Sequence, residues 1–475
     1  MPSDPAVGWP VRIAFGLGSY AEGILYGAFS YFLLFFYNQV LGLSGSLAGT
    51  ALAIALVVDA ATDPLVGSIS DRHRSRWGRR HPFMYGSALP FALVFYLLFV
   101  PPEGLGEAGL FAWLLCFSVA TRTALTFFSV PHMTLGAELT PDYDERTTLA
   151  AVRSFLSIAG GVSVIMVGFV IFFGEDGQLD PANYPGFALT ASIAMAATIL
   201  LSGIGTHSCI PRLSKAPAEQ VHFSVGRLLR ELRHAMGLRP FRFILSSMIA
   251  NAAVMGLLST LATYILTFFF RLEGLTLGVQ LSTGMAGGVL GAVIASPIAA
   301  RMKSKRNAKI LGMLWFAFFT SLMVNARLLG WAPANGDPWL LPLLLGGSFI
   351  GGLGMGLISV LGNAMIADVT DEHERVYGTR QEGIYYSAVS FVSKATSGLG
   401  TLLAGIAIDF VGLNPNADPA SVPSTVIDGL GIVYGPCVLL MILAPVGLLW
   451  GYDIDRKRHE EIRREIAEAK TTSAV

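Results

Sequence analysis

Apolar residues in this chain run in long stretches separated by short polar turns. A bilayer core of about 30 Å takes roughly 20 apolar residues to cross as a helix. Twelve stretches reach that length, at approximately 12–38, 46–70, 83–101, 108–138, 150–173, 185–210, 240–270, 275–300, 308–330, 338–368, 383–411 and 430–452. The pattern predicts an all-α integral membrane protein with twelve transmembrane helices.

Composition sharpens this picture. Of the 475 residues 53% are hydrophobic and only 13% charged, with a mean hydropathy of +0.60. A soluble domain carries about a quarter charged residues, so most of this surface does not face water. The 53 glycines fit transmembrane helices and their contacts, where Gly is used freely. No cleavable signal peptide is expected, because the first residues are polar and contain Pro, with no small-residue cleavage site after a short apolar core. Lys and Arg balance Asp and Glu, and no basic cluster is interleaved with aromatics, so no nucleic-acid partner is predicted. Cys116, Cys209 and Cys437 stand at no metal-ligand spacing and read as packing residues.

The basic residues set the topology. Arg72, Arg74, Arg76, Arg79 and Arg80 crowd the turn after the second stretch, and Arg301, Lys303, Lys305, Arg306 and Lys309 follow the eighth. The segment 211–239 and the tail from 453 are also basic. Connections after the first, third, fifth and eleventh stretches hold no Lys or Arg, while Arg271 and Arg327 stand alone after the seventh and ninth. The positive-inside rule then puts both termini in the cytoplasm.

Ala137–Arg146 and Ala367–Arg375 repeat one another as A-[E/D]-[L/V]-T-D-x-x-E-R with one residue inserted, closing the fourth and tenth stretches. Two six-helix halves in the same orientation follow, a parallel repeat of the major facilitator kind. The predicted organisation is a bundle at 1–210, a cytoplasmic linker at 211–239, a second bundle at 240–452 and a cytoplasmic tail at 453–475. In the linker, Leu228, Leu229 and Leu232 stand against Arg227, Arg230 and Arg233, as in an amphipathic helix on the inner membrane surface or an ordinary solvated linker helix. The charged, Ala-rich tail reads as a short soluble helix with no chemistry of its own.

An ionisable residue at membrane depth is costly and marks function. At about 1.5 Å per residue, Asp59 comes out about 18 Å from the inner end of its span, Asp63 about 12 Å, Thr126 and Lys394 about 17 Å, Glu22 about 15 Å and Arg122 about 22 Å. Asp59 and Asp63 share one helix face, and adjacent carboxylates in a low dielectric must share a proton or a cation. Their oxygens suit a hard monovalent cation, with the hydroxyls of Thr62 and Thr126 as further ligands. Lys394 offers a competing positive charge. The plainer alternative is a structural ion pair, although a dry pair stabilises poorly compared with apolar packing. Pro64 beside Asp63 either kinks the helix or frees a carbonyl that adds a ligand.

At these residues the sequence resembles the glycoside–pentoside–hexuronide:cation symporters, the family of the bacterial melibiose permease. The resemblance is carried by Asp59-Ala-Ala-Thr-Asp63-Pro64 through Asp71-Arg72 to Arg80-His81-Pro82, by Val130-Pro131-His132 through Arg146 to Arg153, and by Ile366-Ala-Asp368 through Arg380-Gln-Glu382-Gly383 to Lys394. It implies that Asp59, Asp63 and Thr126 hold the cation, that Lys394 couples to them, and that Arg153 and Ser390 lie near the sugar. It further implies a cytoplasmic gate of Asp71, Arg72, Arg76, Arg79, Glu138 and Arg146, matched by Asp368, Asp371, Arg380 and Glu382. The sequence departs from melibiose permease where that protein grips its galactoside. One aspartate falls at Gly23, beside Glu22, another at Ser129, and the stacking aromatic at Met133. Arg122 lies on the same helix face as Thr126 and either holds an anionic group of the substrate or pairs with Glu22.

The reading is a monomeric, multi-pass transporter of the cytoplasmic (inner) membrane. It needs no cofactor and couples Na⁺ or H⁺ to a small glycoside-like solute, neutral or anionic. A carrier of an amphipathic anion such as a lysophospholipid is the alternative, on the strength of animal relatives. No metal cluster, nucleophile elbow or P-loop points to an enzyme.

Overall fold

The computed structural model describes residues 7–140, 142–174, 177–213, 235–378 and 382–472. They are helical throughout, with no strand among them. Thirteen long helices run in chain order: α1 Trp9–Ala28, α2 Gly45–Arg72, α3 His81–Leu98, α4 Glu107–Leu139, α5 Tyr143–Met166, α6 Tyr184–Thr206, α7 Arg239–Tyr264, α8 Gly274–Met302, α9 Lys305–Leu328, α10 Leu340–Tyr377, α11 Glu382–Phe410, α12 Ser424–Leu449 and α13 Arg456–Thr472. Among the described residues, 10 helices are long and apolar enough to cross a membrane. Of the two remaining apolar stretches, the first forms α1 and its π-helical continuation through Val40. The other forms α11, in which Thr396–Phe410 is a shorter apolar helix. The linker pattern of Leu228, Leu229 and Leu232 against Arg227, Arg230 and Arg233 lies outside the described residues.

The chain divides into two compact units. The first comprises Met1–Phe223, Leu272–Gly278 and Thr401–Ser421, and the second Ser224–Arg271, Val279–Gly400 and Val422–Val475. Within the first, α1 packs on α5 and α6, α2 on α4, and α3 on α4 and α6. Its core holds a cluster of Phe32, Phe36, Phe99, Phe173, Tyr184 and Phe187 rings. The segment Thr401–Ser421 is tied in by Asp409, whose carboxylate accepts from the N–H groups of Gly45 and Ser46 at 2.8 and 2.7 Å. An acidic group there satisfies donors that the first turn of α2 cannot pair internally.

Backbone-close crossings recur in both units. A Cβ on Gly23 of α1 would run into the Ser157 carbonyl of α5, and one on Gly160 into that of Tyr20. In the second unit a Cβ on Gly400 of α11 would meet the Ala253 carbonyl of α7, and one on Gly256 the Ser397 carbonyl. These contacts use glycine to bring helix axes together where apolar burial alone drives little association in lipid. At its C-terminal end α10 stops at Gly378, whose φ of 70° gives a left-handed cap with its N–H on the Glu374 carbonyl.

Candidate functional site

Midway along α2, Asp59 is buried at 2% exposure, and Asp63 is half-buried one turn away. Helical spacing alone stacks the two carboxylates on one face. Thr126 of α4 is fully buried against them. Its Oγ1 lies 2.9 Å from Asp59 Oδ1, 3.1 Å from Asp63 Oδ1 and 3.1 Å from the Arg122 carbonyl of its own helix. A hydroxyl has one proton to donate, so it serves only one of these three acceptors at a time. Carboxylate and hydroxyl oxygens are the donor set that hard cations prefer. Among the described residues, no group of three or more His, Cys, Asp and Glu side chains is placed to hold a metal ion.

Arg122 brings a positive charge to Asp59. Its NH1 lies 3.6 Å from Asp59 Oδ2, and its guanidinium carbon stands 4.7 Å from the centre of the Phe29 ring. The observed pairing is therefore with Asp59 of α2. Thr62, expected as a further ligand, turns its hydroxyl onto the Asp59 backbone carbonyl at 3.0 Å. This is the usual local alternative for a mid-helix Thr. α2 continues through Pro64 as one helix.

The remaining expected substrate residues scatter by role. Ser129 and Met133 continue the Arg122–Thr126 face of α4, half-buried and exposed respectively. Glu22 on α1 and Arg153 on α5 are half-buried. Gly23 is buried against the Ser157 carbonyl with no space for a side chain, so its contribution is helix packing. Lys394 is half-buried on α11, in the second unit. The side chain of Ser390 is outside the described parts.

Between the C-terminal ends of α2 and α4 in the first unit, Arg80 is the centre of an ionic cluster, and only 2% of its side chain is exposed. It reaches Asp71 at 2.5 Å, Glu138 at 3.1 Å and Ser70 Oγ at 2.8 Å. Arg79 joins Glu138 at 2.7 Å. Arg146 donates to the carbonyls of Ala137 and Thr140, capping α4. Arg76 lies over Trp77, and Arg72 ends α2. In the second unit Asp368 takes the Lys305 ammonium at 2.6 Å, and Tyr452 donates to it at 3.3 Å. Burial, then the neighbouring Asp368 charge, hold the Tyr452 phenol well above its ordinary range, so it stays a donor. Asp371 meets His459 of α13 at 3.2 Å, and Glu372 holds Arg375 through two contacts of 2.8 Å. Arg375 also reaches Glu465. The tail helix, read from sequence as inert, is thus bound to α10 by ionic contacts and by the buried Ile462. Arg380 and the Glu382 side chain are outside the described parts.

Sequence reasoning left Arg80, Lys305 and Asp409 out of the site. Arg80 stands in the same basic turn as the expected gate residues Arg76 and Arg79, and Lys305 in the second basic turn; the repeated acids Glu138 and Asp368 were the signal that each turn carries a partner.

The profile of MFS/sugar transport proteins matches residues 14–456. The chain is 24% identical to an uncharacterized symporter of Synechocystis over 96% of each chain. It is 25% identical to the isoprimeverose transporter of Lactiplantibacillus pentosus, over 86% of this chain and 82% of that one. The fold is similar to that of the xylose transporter XylE from E. coli, with a TM-score of 0.59 at 13% identity, covering 94% of this chain and 97% of the other.

Proposed function

The chain belongs to the MFS/sugar transport protein family, membrane transporters and not enzymes, and from that premise we propose that it couples a monovalent cation, Na⁺ or H⁺, to uptake of a glycoside. The observation that carries this reading is the Thr126 hydroxyl set between the Asp59 and Asp63 carboxylates. A transporter that only bound sugar would gain nothing from two carboxylates sharing one proton donor inside the membrane. The relatives named as symporters and as an isoprimeverose transporter support both cation coupling and a sugar-like solute.

In this reading twelve helices cross the cytoplasmic membrane, both termini are inside, and the two halves expose the site alternately to each side. Lys394, on the second unit, is assigned to the ion-free return step. A neutral glycoside fits better than an anionic or lysophospholipid substrate, because Arg122 is already engaged with Asp59.

Proteoliposomes given an inward Na⁺ gradient or an inward pH gradient test this with a panel of labelled disaccharides and pentosides. At least one sugar is expected to accumulate transiently above its equilibrium level under one gradient. Equilibration of every transported sugar under both gradients would overturn the coupling.

A further inference from the structure

We propose that the N-terminus of α2 carries an exchangeable helix cap: Asp409 of α11 holds it in this structure, and Ser44 takes it over when the end of α11 leaves α2 during transport. This rests on the alternating-access reading above and adds the contact that must break and the residue that replaces it.

α11 is one continuous helix, Glu382–Phe410, yet its residues up to Gly400 belong to the second unit and those from Thr401 to the first. It is fastened on both sides of that division. In the second unit a Cβ on Gly400 would meet the Ala253 carbonyl of α7, and one on Gly256 the Ser397 carbonyl. In the first unit a Cβ on Gly405 would meet the Gly45 carbonyl of α2, and one on Gly45 the Gly405 carbonyl. A helix shared in this way cannot keep both fastenings while one half rocks against the other.

The α2 fastening is the one built to open. Around Gly256 the α7 fastening is close packing, with Val254, Leu257 and Leu258 buried. The α2 fastening adds polar contacts that water can replace. Asp409 is exposed, and its carboxylate accepts from the Gly45 and Ser46 N–H groups at 2.8 and 2.7 Å. Gln39 donates to the Asn414 carbonyl at 3.3 Å and accepts from the Ala417 N–H at 3.2 Å. Exchanging such hydrogen bonds for water costs little.

Ser44 makes the release cheaper still. It is the N-cap residue of α2, with the extended backbone (φ −58°, ψ 145°) of that position, but its side chain makes no cap hydrogen bond. Serine is among the preferred residues there, its hydroxyl accepting from the second or third N–H of the helix. Asp409 now holds the first-turn donors and gains from the positive end of the helix dipole. Once Asp409 withdraws, the Ser44 hydroxyl accepts from Ser46 or Leu47, and α2 stays capped. The repeat-related attachment, the start of α8 on the π-helical continuation of α5, is apolar instead: Phe169 and Met166 lie against Gly278. Of the two equivalent attachments, the α2–α11 one carries the switch.

Ile408 reports on this contact, because it is fully buried with its Cβ against Gly45. The test labels Ile408→Cys with a fluorescent maleimide in purified full-length protein, with Cys116, Cys209 and Cys437 replaced by alanine. Adding Asp409→Ala is expected to speed labelling at least about threefold, and adding Ser44→Ala to slow it by a similar factor, as the loss of one helix cap implies. An unchanged rate in Asp409→Ala, or the two substitutions moving the rate in the same direction, would overturn the proposal. A second readout stands in should Ile408→Cys fail to fold. Ser46→Cys/Asp409→Cys, bridged by a short bis-methanethiosulfonate in proteoliposomes, is expected to lose most of its sugar uptake and to regain it with dithiothreitol. Uptake undiminished by the bridge would mean that α11 stays on α2 throughout the cycle, and would equally overturn the exchange. Labelling uses neither sugar nor ion, so an unbridged protein that takes up no sugar removes the transport reading while the labelling contrast still decides the cap.

Discussion

The crossing of α2 with α4 and that of α8 with α10 occupy equivalent places in the repeat, yet one is polar and the other is nearly bare backbone. Aligning Pro64 with Pro297 sets Asp59 against Ala292, and aligning Glu138 with Asp368 sets Thr126 against Gly356. In the first unit these positions carry a carboxylate and a hydroxyl 2.9 Å apart. In the second, a Cβ on Gly356 would collide with the Ala292 nitrogen and the Gly288 carbonyl. The same architecture has been used once to hold charge and once to pack helices closely, so function sits in the residues placed on the fold and not in the fold itself.

The ionic clusters at the helix ends make a second contrast. Arg80 and Glu138 are both buried, with 2% and 8% side-chain exposure, whereas Lys305, which serves Asp368, is 38% exposed. The largest stability effect is therefore expected for Arg80→Met. It leaves Glu138 with Arg79 alone and removes the buried guanidinium's contacts to Asp71 and Ser70, and should cost about 3–5 kcal/mol, seen as a collapse of the melting temperature in detergent. Gly356→Thr writes the first unit's residue into the second. Overpacking at that crossing should cost about 1–3 kcal/mol, and an unchanged melting temperature would mean the two crossings are not distinct. Thr126→Val removes one hydrogen bond worth about 1 kcal/mol and should weaken the cation response without lowering the ion-free melting temperature comparably. Lys305→Met is expected to cost less than about 1 kcal/mol, with the difference vanishing in high salt, because the ammonium is half in solvent.

Much of this was legible in the sequence, for physical reasons. Apolar stretch length maps directly onto helices, so nearly every element is visible in advance. Asp59, Asp63 and Thr126 could be grouped because helical spacing and depth are simple arithmetic. Arg122 was seen as an anomaly, but its partner was not, since choosing between Glu22 and Asp59 depends on how α4 is rotated between α1 and α2. Thr62 has the right chemistry at the right depth, and only side-chain direction reveals that its hydroxyl serves its own helix. Gly23 stood out as a missing aspartate, whereas the structure shows a position that excludes any side chain. The docking of α13 on α10 escaped notice because a charged helix read alone looks solvated. Its partners Asp371, Glu372 and Arg375 lie far away in the chain.

The central claim is that the two α2 carboxylates, with Thr126 of α4, carry the coupling ion, and it is tested most directly by separating exchange from accumulation in proteoliposomes. Asp63→Asn is expected to keep sugar counterflow, which needs only the sugar site, and to lose all uphill uptake under the gradient that drives the wild type. Uphill uptake persisting unchanged in both Asp59→Asn and Asp63→Asn would contradict the account.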